Sequence, residues 1–148
     1  MPKIHIQTKI NKPAPEAFSR FSDGLFESLI PPFIKIERND GIHKGDQVIV
    51  QFKLAIIKPW HLEIIDNGQD EVSYWFTDKS ISGGPFGIQD WTHIHRVKIV
   101  DQSQCIISDE IEFDTRNKIL NVLVLSIFTL DMKLRKSKYK KFFEKIVI

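Results

Sequence analysis

The 148-residue sequence predicts an α+β fold: a curved, seven-stranded antiparallel sheet wrapped around a long C-terminal helix, with two short helices after the first strand. Three observations predict it. Segments that alternate apolar and polar residues follow one another from Phe33 to Asp114. Only short turn signals separate them, and short turns join antiparallel neighbours, because a parallel pair needs a long crossover. After about Asn117 the apolar period lengthens from two residues to 3.6, the mark of a helix.

Taken in order, residues 3–10 alternate Ile4, Ile6 and Ile10 with polar neighbours and form a strand. Pro13-Ala14-Pro15-Glu16-Ala17-Phe18 opens a helix, since the missing proline N–H is not needed in a first turn. Ser22-Asp23 caps a second short helix that runs to Leu29 and stops at Pro31-Pro32. Residues 33–38 form a strand that ends at the turn Asn39-Asp40-Gly41. Residues 47–54 place Val48, Val50, Phe52 and Leu54 on one face, and residues 58–66 do the same with Trp60, Leu62 and Ile64 before a turn at Asn67-Gly68. Residues 71–78 set Tyr74 and Phe76 opposite Trp75. Residues 88–100 form a long strand that turns at 101–103 and returns over 104–114.

The terminal helix, expected from about Asn117 to Ile146, carries Ile119, Leu120, Leu123, Val124, Ile127, Leu130 and Leu134 in a broad stripe. Val122, Leu125, Phe128 and Met132 widen it almost all the way round, so most of its sides need cover. This order of elements is that of a helix-grip fold, in which sheet and helix can leave an apolar cavity between them.

Composition fits a single domain over 1–148. Hydrophobic residues make up 42% and charged residues 27%, which excludes a disordered chain. Eleven phenylalanines and three tryptophans are enough rings to fill a core or to line a cavity for an apolar guest. A lone Cys105 excludes an internal disulfide, and the residues after Met1 lack the apolar centre of a signal peptide. The longest apolar run, 119–130, is too short to cross a bilayer. A cytoplasmic protein is expected.

The net charge of +2 is uneven. Lys133, Arg135, Lys136, Lys138, Lys140, Lys141 and Lys145 against Glu144 give the ending +6 and leave −4 for the rest. Two readings stand: weak contact of the segment Tyr139-Lys140-Lys141-Phe142-Phe143 with an anionic membrane surface, or the solvated end of a helix. No nucleic-acid partner is expected, and nothing sets an oligomeric state.

The turn Gly83-Gly84-Pro85-Phe86-Gly87 leads into a strand whose odd positions, Trp91, His93 and His95, point to one side. Because the odd set is the less polar, it faces inward. On the returning strand Cys105, Ile107, Asp109, Ile111 and Phe113 face inward. Pairing inward with inward sets Ile99 beside Cys105, His95 beside Asp109, His93 beside Ile111 and Trp91 beside Phe113. A shift of two instead puts Asp109 beside Val97, diagonal to His95.

A His95–Asp109 pair can orient an imidazole for general acid–base work, or can satisfy two buried polar groups and orient a ligand. His93, His95 and Asp109 can also chelate a metal, but a His-x-His pair is a weak motif, and neither metal nor cofactor is expected. Cys105 reads as a small core residue. The glycine turn precedes a strand, so it lacks the helix N-terminus of a phosphate loop. It reads as a mouth loop with Phe86 as a gate, or as a plain turn.

The chain resembles the START-like superfamily of birch-pollen-allergen, polyketide-cyclase and lipid-transfer relatives, also called SRPBCC. Its 13–18 opening is similar to the stretch that begins the first helix there. The run Gly84-Pro85-Phe86, Trp91, His93, His95, then Asp109 and Ile111, is similar to a narrower branch of stand-alone, cell-division-inhibitor-like domains and of domains fused to epimerase-like dehydrogenases. The ending at 139–143 matches no pattern of that branch, and no dinucleotide-binding segment is present.

The resemblance implies a hydrophobic ligand cavity between sheet and helix and no metal, and leaves the activity open among carriers, cyclases and hydroxylase subunits. The expected function is binding of a lipid or an aromatic, polyketide-like metabolite. The expected lining is Phe52, Trp60, Tyr74, Phe76, Phe86, Trp91, His93, His95, Asp109, Leu120, Val124 and Phe128, with His95, Asp109 and Tyr74 as the polar contacts. The alternative is a cyclase or dehydratase in which His95, polarised by Asp109, removes a proton.

Overall fold

The chain folds as β1 (Lys3–Ile10), α1 (Ala14–Ser19), a 3-10 turn (Arg20–Ser22), α2 (Leu25–Leu29), β2 (Ile34–Asn39), β3 (Gln47–Phe52), β4 (Trp60–Gln69), β5 (Ser73–Ser82), β6 (Asp90–Ile99), β7 (Cys105–Asp114) and α3 (Lys118–Phe143). This is a computed structural model that describes residues 1–22, 24–54 and 56–144. All seven strands join one antiparallel sheet in the order β1-β7-β6-β5-β4-β3-β2. Strands 2 to 7 form the expected meander, while β1 closes onto the last strand and brings α1 and α2 over the same face. The sheet curls around α3, and the fold is a helix grip. Among the described residues no helix is long and apolar enough to cross a membrane.

The β6–β7 register is the unshifted one: Ile99 faces Cys105, His95 faces Asp109, His93 faces Ile111 and Trp91 faces Phe113. Alternation then buries the odd side chains of both strands. Two apolar clusters result. One gathers Phe21, Leu25, Phe76, Val97, Ile107 and Tyr139 under the short helices. The other gathers Trp60, Trp91, Ile111, Phe113, Val124 and Met132 near the start of α3. Between them lies a polar layer. Along β6 it is His93 and His95, along β7 it is Asp109, along β5 it is Asp78, and along α3 it is Arg135.

Several sequence expectations are corrected. The second helix has Gly24 (φ 81°) as its N-cap residue, and Ser22 is taken into the 3-10 turn; the other half of the expected cap, Asp23, lies outside the described residues. Asn67-Gly68 lies inside β4 and makes no turn there. Gly68 faces Trp75 across the ladder, and a Cβ at 68 would sit 2.7 Å from that indole, so the glycine serves as a seat for the ring. The turn falls at Asp70, whose Oδ1 accepts from the backbone N–H groups of Val72 and Ser73, both at 2.8 Å. Leu54 lies past the end of β3 and is exposed.

Asn117 caps α3 by accepting from the N–H groups of Ile119 and Leu120. The helix buries Val124, Met132, Tyr139 and Phe143, leaving Ile119, Val122, Leu123, Leu130 and Leu134 exposed. Cover on most of its sides is therefore not found among the described residues. Ile146, the expected helix end, lies outside them. The aromatic part of the ending belongs to the core: Tyr139 and Phe143 are buried, and the Arg20 guanidinium lies over Phe142 at 5.3 Å. Lys138 Nζ donates to the Leu29 carbonyl at 3.0 Å, tying the end of α3 to α2.

Candidate functional site: a two-chamber cavity ending in a polar layer

An inner cavity of about 130 Å³ lies between the sheet and α3. Val50, Leu62, Trp60, Trp91, Phe128 and Met132 form its apolar walls, and Asp78, His93, His95 and Arg135 form its polar end. An adjoining outer chamber of about 440 Å³ shares Trp60, Phe128 and Asp131 with it. Phe33, Leu54, Phe86 and Ile127 rim this chamber, each exposed by 38% or more.

The mouth loop is shaped by glycine. Gly83 (φ 75°) and Gly84 (φ 98°) occupy left-handed backbone. A Cβ on Gly83 would collide with the Pro59 carbonyl oxygen, and one on Gly84 would sit 2.9 Å from the Trp60 indole. The loop therefore lies flat on Trp60 and delivers Pro85 and Phe86 to the chamber wall.

The polar layer is a crossed pair of histidine–carboxylate contacts. His93 Nε2 meets Asp109 Oδ1 at 2.9 Å, and His95 Nε2 meets Asp78 Oδ2 at 2.7 Å. The second imidazole nitrogens reach across more loosely, His93 Nδ1 to Asp78 at 3.9 Å and His95 Nδ1 to Asp109 at 3.8 Å. Trp91 Nε1–H donates to Asp78 Oδ1 at 3.1 Å, and the Tyr139 hydroxyl donates to Asp109 Oδ2 at 3.1 Å. The His95 ring is sandwiched between Phe76, 4.3 Å away and nearly parallel, and His93, at 3.7 Å.

Burial works against charge here, and the hydrogen bonds decide which groups keep it. For Asp109 burial pushes the pKa up, but the bond from His93 and the nearby cations outweigh it and bring the carboxyl to about 2. The Asp78 carboxyl is likewise lowered against its burial, chiefly by His95. His95 moves the other way: burial, then the neighbouring His93, bring it down to about 4, so its imidazole is neutral at pH 7. Since Asp78 is ionised, the His95 nitrogen facing it carries the proton, and Nδ1 keeps a lone pair that has no hydrogen-bond partner among the described residues. Burial raises the Tyr139 hydroxyl well above the ordinary range, so it stays a donor. Burial also pushes the Cys105 thiol up to about 11, which keeps it an inert core residue.

The expected site residues divide. Phe76, Trp60, Trp91, His93, His95 and Phe128 line the inner cavity, and Phe52 and Phe86 the outer chamber. Asp109 is buried behind His93 and lines neither. Its register with His95 is as expected, yet its hydrogen bond goes to His93, because the longer reach of each imidazole carries it to the carboxylate diagonal to its own Cα. Tyr74 stacks on Phe18 of α1, and Leu120 and Val124 pack before the cavity begins; none of the three lines either chamber.

Sequence reasoning missed Asp78, Asp131, Arg135 and Tyr139. The signal for Asp78 was its parity with Phe76 on β5. For the helix it was the spacing 128, 131, 135, 139, a face at helical period whose polar members hid it behind the longer apolar stripe. Asp78, His93 and His95 each offer a ligand atom within 4.8 Å of the others, so these are the described residues that can hold a metal ion.

No protein-family model matches the chain, and no curated protein matches it. Solved structures do. Norcoclaurine synthase from Thalictrum flavum, in complex with dopamine and hydroxybenzaldehyde, superposes with a TM-score of 0.69 at 16% identity over 99% of this chain and 89% of that one. XoxI from Bacillus cereus gives 0.70 at 12% identity over 98% and 97%. The di-domain ARO/CYC BexL from the BE-7585A biosynthetic pathway gives 0.67 at 10% identity, with 95% of this chain covering 45% of that one. At these identities the likeness is one of fold.

The polar layer makes stability acid-sensitive. Below pH 6.5 the unfolded chain protonates His95 while the folded protein, at about 4, does not, so stability falls with pH across that window. Asp109 adds a loss of the same sign as pH drops from 3.8 towards 2. Urea unfolding midpoints are expected to hold from pH 8 to 7 and then to fall between pH 6.5 and 4, at a cost on the order of 3 kcal/mol for His95. His95→Gln removes most of that fall. A midpoint unchanged down to pH 4.5 contradicts the assignment.

Proposed function

We propose that this protein binds one small, largely apolar molecule, with an aromatic ring or short chain in the inner cavity and the remainder in the outer chamber. The observation that carries this reading is the cavity itself. Its walls are indole, phenyl and aliphatic, and its polar groups are gathered at one end, the arrangement that both holds and orients a guest. The exposed apolar rim at Phe33, Leu54 and Phe86 suits the entry of such a molecule. The aromatic guests named for the norcoclaurine synthase complex support a ring-sized ligand on this fold.

The neutral fluorophore N-phenyl-1-naphthylamine tests the reading. Saturable binding at one site per chain is expected. Leu62→Trp, which puts an indole into the inner cavity, is expected to weaken it by about tenfold or more while leaving the urea midpoint nearly unchanged. Fluorescence that does not saturate, or that ignores the substitution, contradicts it.

One observation favours a second reading, proton abstraction. His95 is neutral, its Nε2–H is held by Asp78, and no described residue donates to its Nδ1 lone pair. In this reading Nδ1 takes a proton from carbon next to a ligand carbonyl, leaving an enolate and an imidazolium that Asp78 stabilises. The partner carboxylate is then Asp78 in place of Asp109. Deuterium wash-in at the methyl group of 2-acetylnaphthalene, followed by NMR, is expected to run about tenfold or more above the buffer rate, to vanish in His95→Gln and to drop in Asp78→Asn. Exchange at the buffer rate rules this reading out.

A further inference from the structure

We propose that Arg135 is the specificity-determining residue of the cavity and that the ligand meets it with an uncharged carbonyl-type oxygen. The inference rests on the binding reading above. Its starting point is a mismatch in the polar layer. All four oxygens of the two buried carboxylates receive a donor: Asp78 from Trp91 and His95, Asp109 from His93 and Tyr139. Arg135 lines the inner cavity and is the opposite case. Its Nε and Nη1 are buried with no hydrogen-bond partner among the described residues, whose nearest carboxylate oxygen, Asp109 Oδ1, stands 3.8 Å from Nη1.

That distance supplies charge compensation without a hydrogen bond. A guanidinium left with unused N–H groups in an apolar surrounding is costly, and an oxygen acceptor relieves the cost. The Tyr139 hydroxyl meets the guanidinium, yet no described residue accepts from Nε or Nη1, so the ligand's polar end is the group that can.

Charge decides which acceptor it is. Asp78 and Asp109 are ionised, His95 is neutral, and Asp131, one helical turn before Arg135, lines both chambers. Even with His93 counted as a cation beside Arg135, the three carboxylates of Asp78, Asp109 and Asp131 leave the fixed charge there negative. A carboxylate or phosphate would add to that excess in a buried site, at a cost that its bond to Arg135 must first overcome. A ketone-type oxygen accepts from the guanidinium and adds no charge. Asp131 at the junction of the chambers further disfavours an anion on its way in. A hydrocarbon of the same shape would leave the donors unpaired, so the site discriminates against it too.

Displacement of N-phenyl-1-naphthylamine by three ligands of one skeleton tests this: 2-acetylnaphthalene, 2-ethylnaphthalene and 2-naphthoate. The ketone is expected to bind about tenfold or more tightly than either of the others, the margin of one hydrogen bond to a charged donor. In Arg135→Met the ketone falls to within about threefold of the hydrocarbon, whose own affinity is retained. Arg135→Lys keeps a cation beside Asp109 and serves if the methionine variant does not fold. It too narrows the margin, because a single ammonium cannot reproduce both guanidinium donors.

A hydrocarbon bound as tightly as the ketone, or a carboxylate bound most tightly, overturns the inference and leaves the binding reading standing. Failure of all three ligands and of the fluorophore to bind overturns both.

Discussion

The rest of the structure depends on how a buried carboxylate is compensated. Asp109 points into the interior with 1% of its surface exposed. An ionised group in that position must be met by donors and opposite charge, or the fold loses several kcal/mol. His93 from the next strand and Tyr139 from the helix donate to it, and Arg135 approaches from the same helix. These contacts fix the rotation of α3 about its axis. Once Tyr139 faces Asp109, Arg135, one turn earlier, must face the polar layer, and Phe128 and Met132, earlier still, must face the cavity. The exposed stripe of Ile119, Leu123, Leu130 and Leu134 is the other side of the same choice.

The polar layer also explains why the interior is hollow. It separates two apolar clusters, one under the short helices and one beside Trp60 and Trp91. Side chains of the layer are held to one another and cannot swing out to fill the space next to them. The Gly83–Gly84 backbone presses on Trp60 from outside, so that indole forms a wall shared by both chambers. A guest that enters meets rings along its length and hydrogen-bonding groups only at its end. The proposed binding and the proposed proton transfer both draw on this one arrangement, and they differ in whether the His95 lone pair or the Arg135 donors do more for the bound molecule.

Much of the fold was legible in the sequence because strand alternation is a strong local signal. The β6–β7 register followed from pairing Trp91, His93 and His95 against Asp109, Ile111 and Phe113, and a slip by one would have turned all of them outward. What alternation specifies is a Cα partner, and a long imidazole can bond diagonally, which is why Asp109 meets His93 and leaves His95 to Asp78. The helix was harder to read. Its apolar residues run nearly all the way round, so they could not say which side is buried, and the side that is buried contains Asp131 and Arg135. Charged residues on a buried face are placed by long-range partners that no local window contains. Asn67-Gly68 failed for a related reason: Gly68 answers to Trp75 across the sheet, while the turn chemistry belongs to Asp70.

The most direct measurement of the Asp109 clamp is a double-mutant cycle on unfolding free energy with Asp109→Leu, Tyr139→Phe and the pair. Strong coupling is expected, about 1–3 kcal/mol, since each substitution alone strands the other's buried polar group. Losses that add to within about 0.3 kcal/mol would contradict it, because a helix not held by this contact has no reason to present Arg135 and Phe128 to the cavity.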